Sequence, residues 1–159
     1  METMSIVTLF LLALPEGILV SSVGLTLTGI RPNFSVAIRV GLVYMVCAFI
    51  MRRLFTEGSH ILAIMIALIA IIMFFYRLNF KKAFAAAVVA LIALALSEAI
   101  VLPIFTRIFS LTIADVLADP WLRIAASIPT QLCLFLIFFL GFRIRNYHKK
   151  STYSSYIHK

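Results

Sequence analysis

Five apolar stretches, at roughly 5–28, 34–51, 61–76, 83–105 and 121–142, occupy most of the 159-residue chain. A helix needs about 17–25 apolar residues to cross about 30 Å of hydrocarbon. Four of the stretches reach that length and the third falls just short. Inside a bilayer the backbone has no water to bond to, so each stretch must satisfy its own N–H and C=O groups as a helix. Composition closes off the alternatives. The chain is 64% hydrophobic and 13% charged, against about 45–50% and about 25% in soluble domains. A domain of this size buries only roughly 70% of its surface, too little to hide the excess, and the same apolar content excludes a disordered chain. The expected fold is an all-α polytopic helical membrane bundle of about five transmembrane helices over residues 1–142, followed by a basic tail at 143–159.

Charge and turn residues mark the breaks. Gly29 and Arg31-Pro32 end the first stretch, and Arg52-Arg53 end the second. His60 and Arg77 bound the third, Lys81-Lys82 precede the fourth, and Asp119-Pro120 and Arg143 bracket the last. With five spans and the tail in the cytoplasm, Arg31, Arg39, Arg77, Lys81, Lys82 and the tail cations fall on one side. Only Arg52, Arg53, Arg107 and Arg123 fall on the other. Retention of positive loops in the cytoplasm then predicts N-outside, C-inside. If the third stretch did not cross, the count would drop to four and one terminus would change sides. Met1–Ser5 carries Glu2 and no Lys or Arg, unlike the basic start of a secretory signal, so the first stretch is expected to remain as a span.

The formal net charge of +8 does not indicate nucleic acid, because the polar connections are too short to hold a binding module. The expected partners are the lipid bilayer and a cytoplasmic or membrane protein, with oligomerisation left open. The localisation expected is a cell membrane, that of a bacterial cytoplasm. Cys47 and Cys133 lie inside apolar runs, where cysteine behaves as a small hydrophobe, so neither a disulfide framework nor a redox motif follows.

Thr112 and Asp115, in the external loop at 106–120, have capping-box spacing, and Ile113, Val116 and Leu117 share one helical face. A short helical turn on the membrane surface is expected there. Asp119 as N-cap, Pro120 in the first turn and Trp121 at the interface suit the start of the last span.

What chemistry the chain has lies in its intramembrane polar residues. Glu16 follows Pro15 in the first span, and Glu98 precedes Pro103 in the fourth. An ionisable group at the bilayer centre costs at least about 2.5–3.5 kcal/mol on insertion scales, so such groups face the bundle interior and find partners. Pro15 and Pro103 should free the carbonyls of Leu11 and Ala99. Glu16, Glu98, Gln131, Ser127 and Tyr44 are therefore candidates to line one polar pocket for a cation, a proton or an amine-bearing ligand. The competing reading pairs the carboxylates with Arg39 and Arg123 as helix-pairing residues. Leu12–Ile18 also echoes Leu94–Ile100, on helices expected to run in opposite directions, as in an inverted repeat. The small-residue pairs Ala83/Ala87 and Ala86/Ala90 mark the fourth span as a close-packing helix.

No enzyme is expected. No His, Asp or Glu pair has metal-ligand spacing, and there is no nucleophile elbow or phosphate loop. No catalytic residue, metal or cofactor is assigned. Three readings remain: a sensor-like or regulatory membrane module, a small transporter or transporter subunit using the carboxylates, and a structural membrane scaffold.

Several features taken together resemble the multi-span N-terminal membrane sensor region of Gram-positive histidine kinases. They are the Leu14-Pro15-Glu16 step, the Gly29–Asn33 turn, His60 before the third span, Ser97-Glu98 in the fourth, and Asp119–Arg123 opening the fifth. The resemblance extends over most of 12–142. No phospho-accepting histidine segment or ATP-binding segment is recognisable, so it implies a stand-alone sensing or regulatory module and not kinase activity.

Overall fold

A computed structural model describes residues 9–54 and 59–157. A π turn at Leu9–Ala13 leads into α1 (Leu14–Leu27), followed by α2 (Phe34–Leu54), α3 (Ser59–Tyr76) and α4 (Phe80–Ile108). A short α5 (Ile113–Ala118) and a long α6 (Pro120–Ile157) complete the chain. All regular structure among the described residues is helical. Segments Phe10–Leu27, Phe34–Met51, Phe80–Ile108 and Pro120–Ile144 are long and apolar enough to cross a membrane, and Ile61–Tyr76 is a shorter apolar helix. The protein is an all-α, multi-pass membrane bundle.

The ends of the helices follow local chemistry. After α1, Ile30 N–H donates to Leu25 O at 2.8 Å and Gly29 N–H to Thr26 O at 3.1 Å. Gly29 supplies the left-handed backbone that this stop requires, with φ +82°. Asn33 opens α2, its Oδ1 accepting from Ser35 N–H at 3.0 Å. Asp119 opens α6 in the same way, accepting from Trp121 N–H at 2.8 Å, with Pro120 first in the helix. Beyond Phe142, where the change in polarity suggests an end to the span, α6 continues to Ile157.

Helix α1 is the hub. It packs against α2, α4 and α6, while α3 bridges α2 and α4. Val20, Ser21, Val23 and Leu25 are wholly buried around it. In lipid, close backbone approach and dispersion drive this association, because the tails are as apolar as the side chains. The small residues read from α4 serve it directly: Ala83, Ala86, Ala87 and Ala90 are all fully buried, and Gly24 of α1 lies against Ala86 and Ala90. On the α2 side, Gly17 receives the ring of Tyr44 and Gly41 receives Ile18.

These contacts settle the helix directions. Gly17 meets Tyr44 and Ile18 meets Gly41, so α1 and α2 are antiparallel. Gln131 of α6 reaches Leu12 near the start of α1, and Gly141 lies against Thr26 and Leu27 at its end, so α1 and α6 are parallel. Parallel first and last helices require an odd number of full-height helices between them, and with α2 and α4 both long enough to cross the third is α3. Tyr76 at the end of α3 donates to Asn33 O at 3.5 Å, so α3 returns along the whole of α2. Its 18 residues rise about 27 Å at 1.5 Å each, and Leu68 and Ile72 are fully buried. The third apolar stretch is thus a full-height member of the bundle. One end of the bundle, the basic end, holds the Gly29–Asn33 and Arg77–Asn79 turns; the other, the loop end, holds α5.

The capping box at α5 forms as the spacing suggests. Thr112 Oγ1 accepts from Asp115 N–H at 3.2 Å and donates to Asp115 Oδ2 at 2.6 Å. Thr112 N–H donates to the same oxygen at 2.8 Å. The Thr112 hydroxyl first, and then its backbone N–H, hold the Asp115 carboxyl below its ordinary 3.8. A carboxyl with a depressed folded value contributes stability above its unfolded value, and that stability is lost as pH falls through the folded one. Hydrogen exchange over 112–118 should therefore be flat from pH 8 to about 5 after correction for intrinsic rates, then accelerate below about 4. Thr112→Ala should show the fast exchange already at neutral pH.

Candidate functional site

The site begins with a helix that cannot close on itself. Pro15 has no N–H and its ring crowds the preceding turn. The chain answers with a π turn at Leu9–Ala13 immediately before it, a widening that recurs at functional sites. Gln131 of α6 fills the gap, donating from Nε2 to Leu12 O at 3.4 Å. The position of Pro15 points to the carbonyl of Leu11; the acceptor used lies one residue further on, within the widened turn.

Next to it, the half-buried Glu16 accepts a hydrogen bond from Tyr44 of α2, OH to Oε1 at 3.0 Å. Tyr44 is only 2% exposed. Gly17 makes this possible, because a Cβ there would stand 2.6 Å from Tyr44 Cδ1. The bare backbone beside the acid is the slot through which the ring reaches it. Three helices therefore meet at one layer: α1 with Glu16 and the Leu12 carbonyl, α2 with Tyr44, and α6 with Gln131.

Glu98 does not join this layer as an inward-facing partner. Gly24 packs on Ala86 and Ala90 of the antiparallel α4, so moving about eight residues along each helix brings Glu16 level with the 94–98 segment. The two carboxylates share a depth, but Glu98 is exposed on the outer surface of the bundle. The buried face of α4 is set by Ala83, Ala86, Ala90, Ala93, Ser97 and Val101. Ser97 takes the inward place, its hydroxyl donating to Ala93 O at 2.8 Å, and Glu98 follows about 100° further round. Of the two acids expected to share a pocket, Glu16 is half-buried within the layer and Glu98 is exposed at a similar depth.

The remaining sequence candidates divide. Ser127 is half-buried and donates to Ile124 O of its own helix at 2.7 Å, so its short side chain is used locally. Arg123 is half-buried near the start of α6. Arg39, expected to pair helices, is exposed on α2 toward the basic end, while both carboxylates lie in the loop half. Ala37 and Val40 take the buried positions on either side of it. His60 lies outside the residues whose side chains are described. Sequence reasoning passes over Gly17; an acid followed directly by glycine within an apolar helix is the signal that marks it.

Chemically, Glu16 with Tyr44 offers one carboxyl group and one phenol donor, beside the Gln131 amide and the Leu12 carbonyl. A carboxyl group so placed can take up or release a proton, or hold a cationic group. No group of three or more His, Cys, Asp or Glu among the described residues is placed to hold a metal ion. No known family model, curated protein or solved structure matches the chain. The residues themselves therefore carry the functional reading.

Proposed function

We propose that this protein is a non-enzymatic sensing or regulatory module, in which protonation of Glu16, or its occupation by a cationic ligand, changes how α1 packs on α2 and α6. The observation that carries this reading is the continuity of α6. One helix runs from Gln131, which is bonded to the turn beside Glu16, through the end of its apolar segment at Ile144 and on to Ile157. A rigid rod held at the site by one side chain is a simple means of passing a small shift at one end to a partner at the other. The partner this reading implies is a protein that meets the basic extension.

The chain's single tryptophan, Trp121, lies near the start of α6 and provides an intrinsic probe. In proteoliposomes, Trp121 fluorescence should pass through a transition as the pH is varied, and Glu16→Gln should remove it without net proton flux in either protein. A proton or amine flux that Glu16→Gln abolishes would replace the sensor with a transporter. A pH response unchanged by the substitution would remove Glu16 from the mechanism.

A further inference from the structure

The basic end of the bundle has a property that the Glu16 site does not use. Among the described residues, all four carboxylates, Glu16, Glu98, Asp115 and Asp119, lie in the loop half. The basic end carries exposed Arg31, Arg39, Arg77, Lys81, Lys82 and Arg143. Two of these cations are drawn to one place. Tyr76 OH bonds Asn33 O at 3.5 Å and so ties the Gly29–Asn33 turn to the Arg77–Asn79 turn. Arg77 follows Tyr76 directly, Arg31 is two residues from Asn33, and Lys81 and Lys82 stand in the first turn of α4. Lysines there oppose the helix dipole, and no acid in that turn relieves them.

The backbone adds an independent observation. Arg77 holds a left-handed φ of +50°, a conformation unfavourable for a residue that carries a Cβ. The neighbouring turn meets the same need with Gly29. Arginine therefore stands at a position whose backbone favours glycine. Directly beside these cations, Phe34, Phe74 and Phe80 are 76%, 78% and 60% exposed. Clustered cations bordered by outward-facing rings, at the level where the apolar helices end, complement a molecule that is anionic at its head and apolar below.

We infer that the two joined turns bind the headgroup of an anionic phospholipid. Arg31 and Arg77 hold the phosphodiester, Lys81 and Lys82 complete its charge, and Phe34, Phe74 and Phe80 lie along the acyl chains. This requires neither the Glu16 reading nor a choice of which leaflet the basic end faces. Basic pockets between transmembrane helices are suited to such headgroups through charge-assisted, bidentate contacts.

The full-length protein in a neutral detergent is offered phosphatidylglycerol or phosphatidylcholine, and retained lipid is counted by native mass spectrometry. The wild type is expected to prefer phosphatidylglycerol by about tenfold or more, equivalent to about 1.4 kcal/mol. Arg31→Gln with Arg77→Gln should abolish the preference. Arg53→Gln with Arg107→Gln, which removes the same charge at the loop end, should keep it. Arg77→Gly separates binding from folding, because relief of the left-handed strain should leave the melting temperature equal or higher while phosphatidylglycerol retention falls. Equal loss in both double variants would reduce the effect to bulk charge and overturn the inference. Inorganic phosphate bound as tightly as the lipid would assign the turns to a free anion, and equal retention of both lipids would leave no headgroup site.

Discussion

Gly24→Leu is expected to leave no assembled bundle, and Gly24→Ala to lose most of its thermal stability in detergent. A Cβ at Gly24 would sit 2.2 Å from the carbonyl oxygen of Ala86, 2.8 Å from Ala90 Cβ and 3.0 Å from the Ala86 carbonyl carbon. Backbone atoms cannot rotate aside, so α1 and α4 must separate. A gap of about 0.5–1 Å forfeits a quarter to a half of each dispersion contact, and the buried face of α4 at Ala83, Ala86, Ala87, Ala90 and Ala93 has only methyl groups to offer across it. Overpacking typically costs about 1–3 kcal/mol, and this contact belongs at or above the top of that range. Gly141→Ala is the internal control. Its Cβ would meet the end of Thr26, Cγ2 at 3.2 Å, which can give by a few tenths of an ångström. Equal melting temperatures for the two alanine variants would show that α1 does not pack on α4 in this register.

That contrast also shows where the sequence speaks and where it is silent. The alanines of α4 repeat at intervals that put them on one helical face, so their role in close packing is legible. Their partner, a lone glycine in an apolar helix, carries no periodicity, and only the fold reveals that it faces Ala86. The two acids illustrate the same limit. Leu12–Ile18 and Leu94–Ile100 look alike, and in the fold they do run antiparallel at similar depth. Yet Glu98 turns outward because the alanine stripe of α4 extends through Ser97. The 100° step per residue, applied to that stripe, is enough on its own to set Glu98 apart from the buried face. Ser127 and Gln131 lie four apart on one helix and so share a face, but length divides them: the serine reaches its own backbone, and the glutamine crosses to α1. The end of α6 is hidden for a different reason. Arg143 marks a change of polarity, and a change of polarity is not a helix stop. No Gly or Pro follows Gly141, so nothing local breaks the helix.

Gly17→Ala should break the hydrogen bond between Tyr44 and Glu16 without altering either polar group. The added methyl would meet Tyr44 Cδ1 at 2.6 Å and both Cβ and Cγ at 3.0 Å, so the ring must back out of its slot and carry the hydroxyl beyond bonding distance of the carboxyl. A thermodynamic cycle with Tyr44→Phe isolates that loss. Phenylalanine keeps the ring and therefore the steric conflict, but it has no hydroxyl to lose. Gly17→Ala in the wild type should cost the conflict plus the bond, and in the Tyr44→Phe background the conflict alone. The expected difference is about 1–3 kcal/mol, the range for a bond to a charged or buried partner, and it exceeds the roughly 0.3–0.5 kcal/mol within which independent sites add. Reversible denaturation of the four proteins in mixed micelles gives the comparison, and the pH titration of Trp121 fluorescence should lose its transition in the Gly17→Ala protein as it does with Glu16→Gln. Additive stabilities would mean that the phenol does not hold the carboxyl. A coupled cycle with an intact pH response would keep the bond but reduce it to a link between two helices. Coupling together with a lost response is the outcome that makes Glu16 the element through which α1, α2 and α6 are switched.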